Sequence, residues 1–407
     1  MRLLATILFL CSVVLSAKAQ RRCGTVGYAQ QGAFALNRPV GNASTDTVLN
    51  QRINIPVIIH VLYNTAEQNI SDAQILSQLA VLNEDYNRLN ADTVMTPNVF
   101  KPLAGNAKIS FCLARLDVKG RATTGIIRTY TTQQSFTAND AMKYSAQGGD
   151  DAWDCTKYLN IWVCNLDSIS LGYGTFPGGP ADRDGVVVGY NVFGTVGVLR
   201  TPFNKGRTAT HEIGHWLGLK HTWGDAICGD DSIADTPQQE YYNTGCPSFP
   251  HLSACSPNAN GDMFMDFMDF TDDGCMNMFT VDQVMEMKSL FVAGGPRSSF
   301  LNAYQCDSLM PQGGALPQTP SGIDTVVVQP TISVYPNPAH EKVTIETSGF
   351  SVIGKTAYLY TATGIKILDV PVTQPKITVN LSGVPAGIYI LRIGEVTNVF
   401  TAKIIHL

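Results

Sequence analysis

The run His211-Glu212-Ile213-Gly214-His215-Trp216-Leu217-Gly218-Leu219-Lys220-His221 constrains this chain more than any other segment. Residues four apart on an α-helix share a face, so His211 and His215 aim the same way and Glu212 projects beside them. Gly218 tolerates a positive φ, so the helix can stop abruptly and swing His221 back toward the same point. The fold must therefore contain a short helix that ends in a sharp turn, with imidazole nitrogens converging. With 7 His and 36 Gly among 407 residues, chance assembly of this spacing is on the order of 10⁻⁴. His60, His251, His340 and His406 lack such neighbours in sequence and read as surface or hydrogen-bonded histidines.

Three nitrogen donors with one open position describe a catalytic rather than a structural zinc site. Such an ion lowers the pKa of its water toward ~7 and polarises a carbonyl under attack. Glu212 is placed to take a proton and to return it to a leaving amine. The expected reaction is peptide-bond hydrolysis without a covalent intermediate.

Charge and targeting signals limit the setting. With 33 acidic against 28 basic residues, the chain lacks the basic footprint of a phosphate-backbone binder. Residues 3–15 form an apolar run preceded by Arg2 and followed by Ala17-Lys18-Ala19, so residues 1–19 read as a signal peptide, too short to span a bilayer. Setting Cys11 aside leaves nine of the ten cysteines in an exported chain, and the odd count assigns one thiol a different task. Cys23 stands apart by position. Cys112, Cys155, Cys164, Cys228, Cys246, Cys255, Cys275 and Cys306 suffice for four disulfides of undetermined connectivity.

Residues 20–51 show no strong periodicity and read as a leader or prosegment, after which residues 53–63 form a β-rich run. Ser71 is a suitable N-cap for a helix whose apolar face is Ile75, Leu76, Leu79, Leu82, Tyr86 and Leu89. Strand patterns at 109–113, 158–164 and 185–190 predict an α/β (α+β) domain over 52–310. Residues 311–327 have a linker's Pro and Gly density. Short strands at 332–335, 343–346, 357–360, 377–381, 388–393 and 400–405 predict a small β-sandwich over 328–407.

The long histidine motif resembles that of the metzincin zinc endopeptidases. The wider run through Gly206-Arg207-Thr208-Ala209-Thr210, Trp223-Gly224-Asp225, Asp235-Thr236-Pro237, Gly245-Cys246-Pro247 and Asp272-Asp273-Gly274-Cys275-Met276 is similar to the ulilysin-like members of the pappalysin family. The resemblance covers residues 53–305. It implies a metzincin-like twisted sheet with an active-site helix, zinc on His211, His215 and His221, Glu212 as base, and Met268 as the Met-turn residue, with Met265 as its rival. It pairs Cys228 with Cys255 and Cys246 with Cys275. It implies structural calcium near Asp231, Asp235 and Thr236, whose alternative reading is an Asx-rich turn and helix cap. Asp273 corresponds to an acid of the S1' pocket, implying cleavage before Arg or Lys; otherwise it is a solvated loop carboxylate. Gly172, Tyr173 and Gly174 correspond to an edge strand that holds substrate by main-chain hydrogen bonds.

Arg21-Arg22-Cys23-Gly24 resembles a cysteine switch, in which a thiolate fills the open zinc position of a zymogen; the alternative for Cys23 is a disulfide with one of the other eight cysteines. Two residues depart from the family pattern: Asp266 stands for an asparagine, and Phe270 for a tyrosine whose hydroxyl would support the oxyanion. Loss of such a donor costs ~10²-fold or more in rate. Val334-Tyr335-Pro336-Asn337-Pro338, Leu381-Ser382-Gly383-Val384-Pro385-Ala386-Gly387-Ile388-Tyr389 and Lys403-Ile404-Ile405 look like a type A sorting domain of the type IX (Por) secretion system. That implies export through the periplasm and outer membrane. The alternative from another class is an inactive, protease-like surface protein whose sandwich is adhesive.

Overall fold

The computed structural model describes residues 23–25, 50–167, 170–302, 331–348, 355–361, 366–372, 374, 376–393 and 400–407. The expected signal peptide, most of the leader, Cys306 and the expected linker lie outside them. Two compact units follow one another, Met1–Gln312 and Gly313–Leu407.

In the first unit, β1 (Ile53–Tyr63) is buried along all but its last residue. Its near-continuous apolar composition suits a strand covered on both faces. Helix α1 (Asp72–Tyr86) follows, then β2 (Ile109–Leu113), β3 (Ile126–Tyr130), β4 (Leu159–Cys164), β5 (Gly172–Gly174) and β6 (Val186–Gly189). β1 runs parallel to β2 and β3, which share one of its edges, and to β4 on the other. β6 continues parallel beyond β4, and β5 closes the sheet antiparallel to β6. β5 is thus one edge of the sheet, with β2 and β3 at the opposite edge.

Ser71 caps α1 by accepting from the Gln74 N–H at 3.2 Å. Ile75, Leu79, Leu82 and Tyr86 enter the main core. Leu76 and Leu89, expected on that face, are instead 42% and 72% exposed. Leu76 is about 100° around the helix from Ile75, and Leu89 lies past the C-cap Asn87. Polar residues of α1 reach the segment that carries the histidines: Gln78 Nε2 donates to Gly206 O at 2.9 Å, and Tyr86 Oη donates to Thr210 O at 2.9 Å.

Helices α2 (Arg207–Trp216) and α3 (Val281–Ser289) flank residues 217–280, which hold only turns, bends and isolated bridges. Disulfides Cys228–Cys255 and Cys246–Cys275 staple this segment. The expectation of four disulfides is corrected among the described residues, since Cys155 and Cys164 are free thiols, whereas Cys112 is disulfide-bonded. Cys164 is enclosed in an apolar cluster with Leu62, Phe136 and Trp162, and Cys155 lies in the turn before β4.

The second unit is a sandwich of antiparallel strands. One sheet holds β7 (Thr331–Tyr335), β8 (Lys342–Ser348) and β11 (Lys376–Asn380). The other holds β9 (Thr356–Thr361), β10 (Lys366–Pro371), β12 (Gly387–Ile393) and β13 (Phe400–His406). Val343, Ile345, Leu359, Leu391, Ile393 and Ile404 form its core.

Candidate active site

Every residue of α2 is buried. Its N-cap is Gly206, at φ 76° and without a side chain to cap the helix. Asp273 supplies the acceptor from a distance: its Oδ2 accepts from Lys205 N–H at 2.8 Å and Arg207 N–H at 3.2 Å, a favourable position for a carboxylate at a helix N-terminus. Asp273 is therefore fully buried rather than a solvated loop acid. On the helix flank, Thr210 Oγ1 donates to Asp85 Oδ2 at 2.7 Å, and Arg207 Nε lies 3.1 Å from the same oxygen. Burial pushes the Asp85 carboxyl up to about 7 despite the guanidinium.

α2 ends at Trp216, and Gly218 adopts φ 88°, turning the chain toward His221. The Nε2 atom of His215 lies 3.2 Å from that of His211 and 3.1 Å from that of His221. Nitrogens bound tetrahedrally at zinc distance are about 3.3 Å apart, so this donor set fits the ion. Each ring is oriented by its other nitrogen: Nδ1 of His211 meets Phe267 O at 2.7 Å, that of His215 meets Leu219 O at 2.7 Å, and that of His221 meets Asp225 Oδ1 at 2.5 Å. Burial, reinforced by His221, pushes the His215 pKa well below its ordinary value, which favours the neutral ring. Phe270 packs against His211 and His221 with ring centroids 5.7 and 4.9 Å away.

Sequence reading did not single out Asp225 as a ligand's partner, although its position four residues after His221 within Trp223-Gly224-Asp225 was visible. Asp225→Asn is expected to weaken zinc binding about 10- to 100-fold, the usual cost of losing an outer carboxylate. Competitive chelator titration measures this directly.

Met268 lies directly against α2. A Cβ at Gly214 would stand 2.4 Å from Met268 Sδ. Met265 belongs instead to a separate cluster with Phe100, Met263, Phe264 and Met278. Asp266 Oδ1 accepts from Met268 N–H at 2.7 Å and from Gln283 Nε2 at 3.0 Å, while Oδ2 is buried without a partner among the described residues. Burial raises this carboxyl well above the Asp range, and Asp231 and Asp269 add to the effect. The ionised form therefore disfavours folding. Asp266→Asn is expected to exceed the parent in stability by about 1–3 kcal/mol at mildly alkaline pH. The advantage should shrink as pH falls toward the unfolded carboxyl's pKa, where both states hold the proton. Thermal melts across that range test the sign.

Cys23 Sγ joins the three imidazoles, all four donor atoms lying within 4.8 Å of one another. Glu212 is 1% exposed, and its Oε2 receives Cys23 Sγ at 3.2 Å and Thr25 Oγ1 at 3.1 Å. Gly24 N–H donates to Gly172 O at 2.9 Å, and Gly174 N–H donates to Thr25 Oγ1 at 2.9 Å. Residues 23–25 thus lie parallel along β5. Gly172 and Gly174 are required there, since a Cβ would stand 2.9 Å from Glu212 Cγ or 2.6 Å from Glu212 O. Tyr173 turns away from α2, its hydroxyl donating to Asp140 Oδ1 at 3.0 Å. Thr25 had no sequence signal of its own.

Asp231 and Thr236 come together, with Oγ1 to Oδ1 at 2.8 Å. Asp235 is engaged elsewhere, its Oδ2 accepting from Asp282 N–H at 3.0 Å. A cavity of 460 Å³ is lined by Thr222, Asp230, Asp231, Ser232 and Thr236, among others.

Residues 143–292 match the peptidase family described as Pregnancy-associated plasma protein-A, and residues 333–406 match the Secretion system C-terminal sorting domain. An extracellular metalloprotease of Arthroderma benhamiae is 33% identical over 278 residues, covering 66% of this chain and 89% of that protein. One from Verticillium alfalfae is 31% identical over 252 residues, covering 59% and 76%. Mature mirolysin of Tannerella forsythia, solved with a cleaved peptide, is 52% identical with a TM-score of 0.60 over 61% of this chain and 95% of that one. A promirolysin mutant from the same organism is 52% identical with a TM-score of 0.61 over 62% and 85%.

Proposed function

The chain belongs to the pappalysin-like extracellular metalloproteases, which are zinc endopeptidases of metzincin type, and from that membership we propose that Glu212 is the general base of an enzyme made as a latent zymogen. The convergence of the three imidazole Nε2 atoms beside Glu212 carries this reading. Zinc held by His211, His215 and His221 would supply the charge that polarises the scissile carbonyl.

Glu212 would accept a proton from the attacking water and pass it to the departing amine. Gly172 O and Gly174 N–H, the groups that hold the leader, would align a substrate strand along β5. Phe270 forms an apolar wall and brings no hydroxyl to the oxyanion. In the zymogen, Cys23 would hold the open zinc position until the leader is removed. Asp273, by resemblance, would favour Arg or Lys after the scissile bond.

Calcium would bind beside Asp231 and Thr236. The cavity there and the buried Thr222 Oγ1 that lines it, unpartnered among the described residues, support this. The C-terminal unit carries the sorting signal for type IX export, so the enzyme acts at the cell surface or beyond it.

Cleavage mapping with a complex peptide library and leader-free protein tests the function, with Glu212→Ala and a chelator as controls. Cuts before Arg or Lys, lost in both controls, are the expected result. Chelator-sensitive cuts at other positions would remove the Asp273 assignment. No cuts by zinc-loaded protein would overturn the catalytic reading.

A further inference from the structure

We propose that Glu212 and the Gly174 N–H form a subsite for a hydroxyl-bearing side chain, which the leader fills with Thr25, so that latency rests on two contacts rather than on the thiol alone. The proposal builds on the zymogen reading of Cys23 and deepens it.

Thr25 is 1% exposed. Its Oγ1 donates to Glu212 Oε2 at 3.1 Å and accepts from Gly174 N–H at 2.9 Å. A hydroxyl has one proton and two lone pairs, so it satisfies both neighbours at once. Valine has the same shape and can satisfy neither. The Thr25 N–H also points at Cys23 Sγ, 3.4 Å away, which ties the two side chains into one loop. Between them, Gly24 N–H bonds to Gly172 O at 2.9 Å. A Cβ at residue 24 would stand 3.1 Å from Ser170 Oγ and 3.3 Å from Ala138 and Tyr173 Cβ, so glycine lets this loop sit close.

The two contacts disable different parts of the cleft. Cys23 faces the imidazoles, whereas Thr25 occupies the carboxylate that must accept a proton and an N–H that would otherwise pair with substrate backbone. A thiol can be oxidised and its contact thereby lost; the hydroxyl contact is indifferent to oxidants. The ligand class of the site is therefore a peptide of the form Cys-Gly-Thr or Cys-Gly-Ser laid parallel to β5.

The test uses the intact, zinc-loaded full-length chain and its Thr25→Val, Thr25→Ser and Cys23→Ala variants. Hydrogen exchange at Gly174 and peptide turnover before any leader cleavage are both measured. Thr25→Val should exchange and turn over about 10- to 100-fold faster than the parent, the cost of losing a hydrogen bond to a charged group. Thr25→Ser should follow the parent. Exchange and turnover unchanged in Thr25→Val would overturn the subsite. Unchanged turnover in Cys23→Ala would instead remove the thiol's part, and faster Gly174 exchange in Thr25→Val would still support the subsite. As a measurement independent of variant folding, a synthetic peptide of residues 21–27 should inhibit the naturally activated enzyme at least about 10-fold better than its Thr→Val analogue. Equal inhibition would count against the proposal.

Discussion

Glu212→Gln should lower kcat for a peptide substrate by about 10³-fold, within the range that general acid–base catalysis supplies, and leave zinc content unchanged. Glutamine preserves the side chain's shape in a site where Glu212 is 1% exposed and packs against Gly172. It can still accept a hydrogen bond from Thr25, but it cannot take a proton at working pH. The three imidazoles keep their partners on Phe267, Leu219 and Asp225. Metal analysis beside single-substrate kinetics separates loss of the base from loss of the ion. Near-parent kcat would move the base to another residue.

His221→Ala should abolish activity by a different route. The ring is fully buried, bonds to Asp225 at 2.5 Å, and stacks on Trp223 with centroids 4.3 Å apart at 6°. Removing it deletes a proposed metal donor and leaves a void beside Trp223. Zinc affinity should fall well beyond ~100-fold, the upper range for losing only an outer partner. Dialysis followed by metal analysis would show the loss. Far-UV circular dichroism should stay near the parent's, because α2 closes before residue 221. A variant that retained zinc would show that His211 and His215 hold the ion with another donor.

The readable parts of the molecule were those whose chemistry is local. Ser71 capped its helix, and 53–63 and 109–113 formed strands at the expected bounds, because caps and buried apolar runs depend on near neighbours. β3 was missed, since Ile126-Ile127-Arg128-Thr129-Tyr130 has no clean alternation and owes its existence to pairing with β1. α3 was also missed, although its Thr280 and Gln283 form a reciprocal cap. In the sandwich, the unrecognised β10 has a largely exposed face and lies at a sheet edge. The histidine spacing and the Cys23 motif were legible in one dimension. The contact of Thr25 with Glu212 spans 187 residues and the reach of Asp273 to Arg207 spans 66, so the fold alone brings those groups together.

The long irregular segment between α2 and α3 contributes Asp225, Phe267 O, Met268 and Asp273, four parts of the cleft that no sheet or helix holds. Its order depends on two cysteine cross-links and on buried bonds such as Asn243 to Asp269. The sheet behind it is held by backbone pairing and has one disulfide-bonded cysteine of its own, Cys112 in β2. A newly made chain among reduced thiols would therefore lack a set floor to the cleft, and competence would arrive only where cysteines can pair. Geography would then protect the producing cell from its own enzyme, independently of anything the leader does.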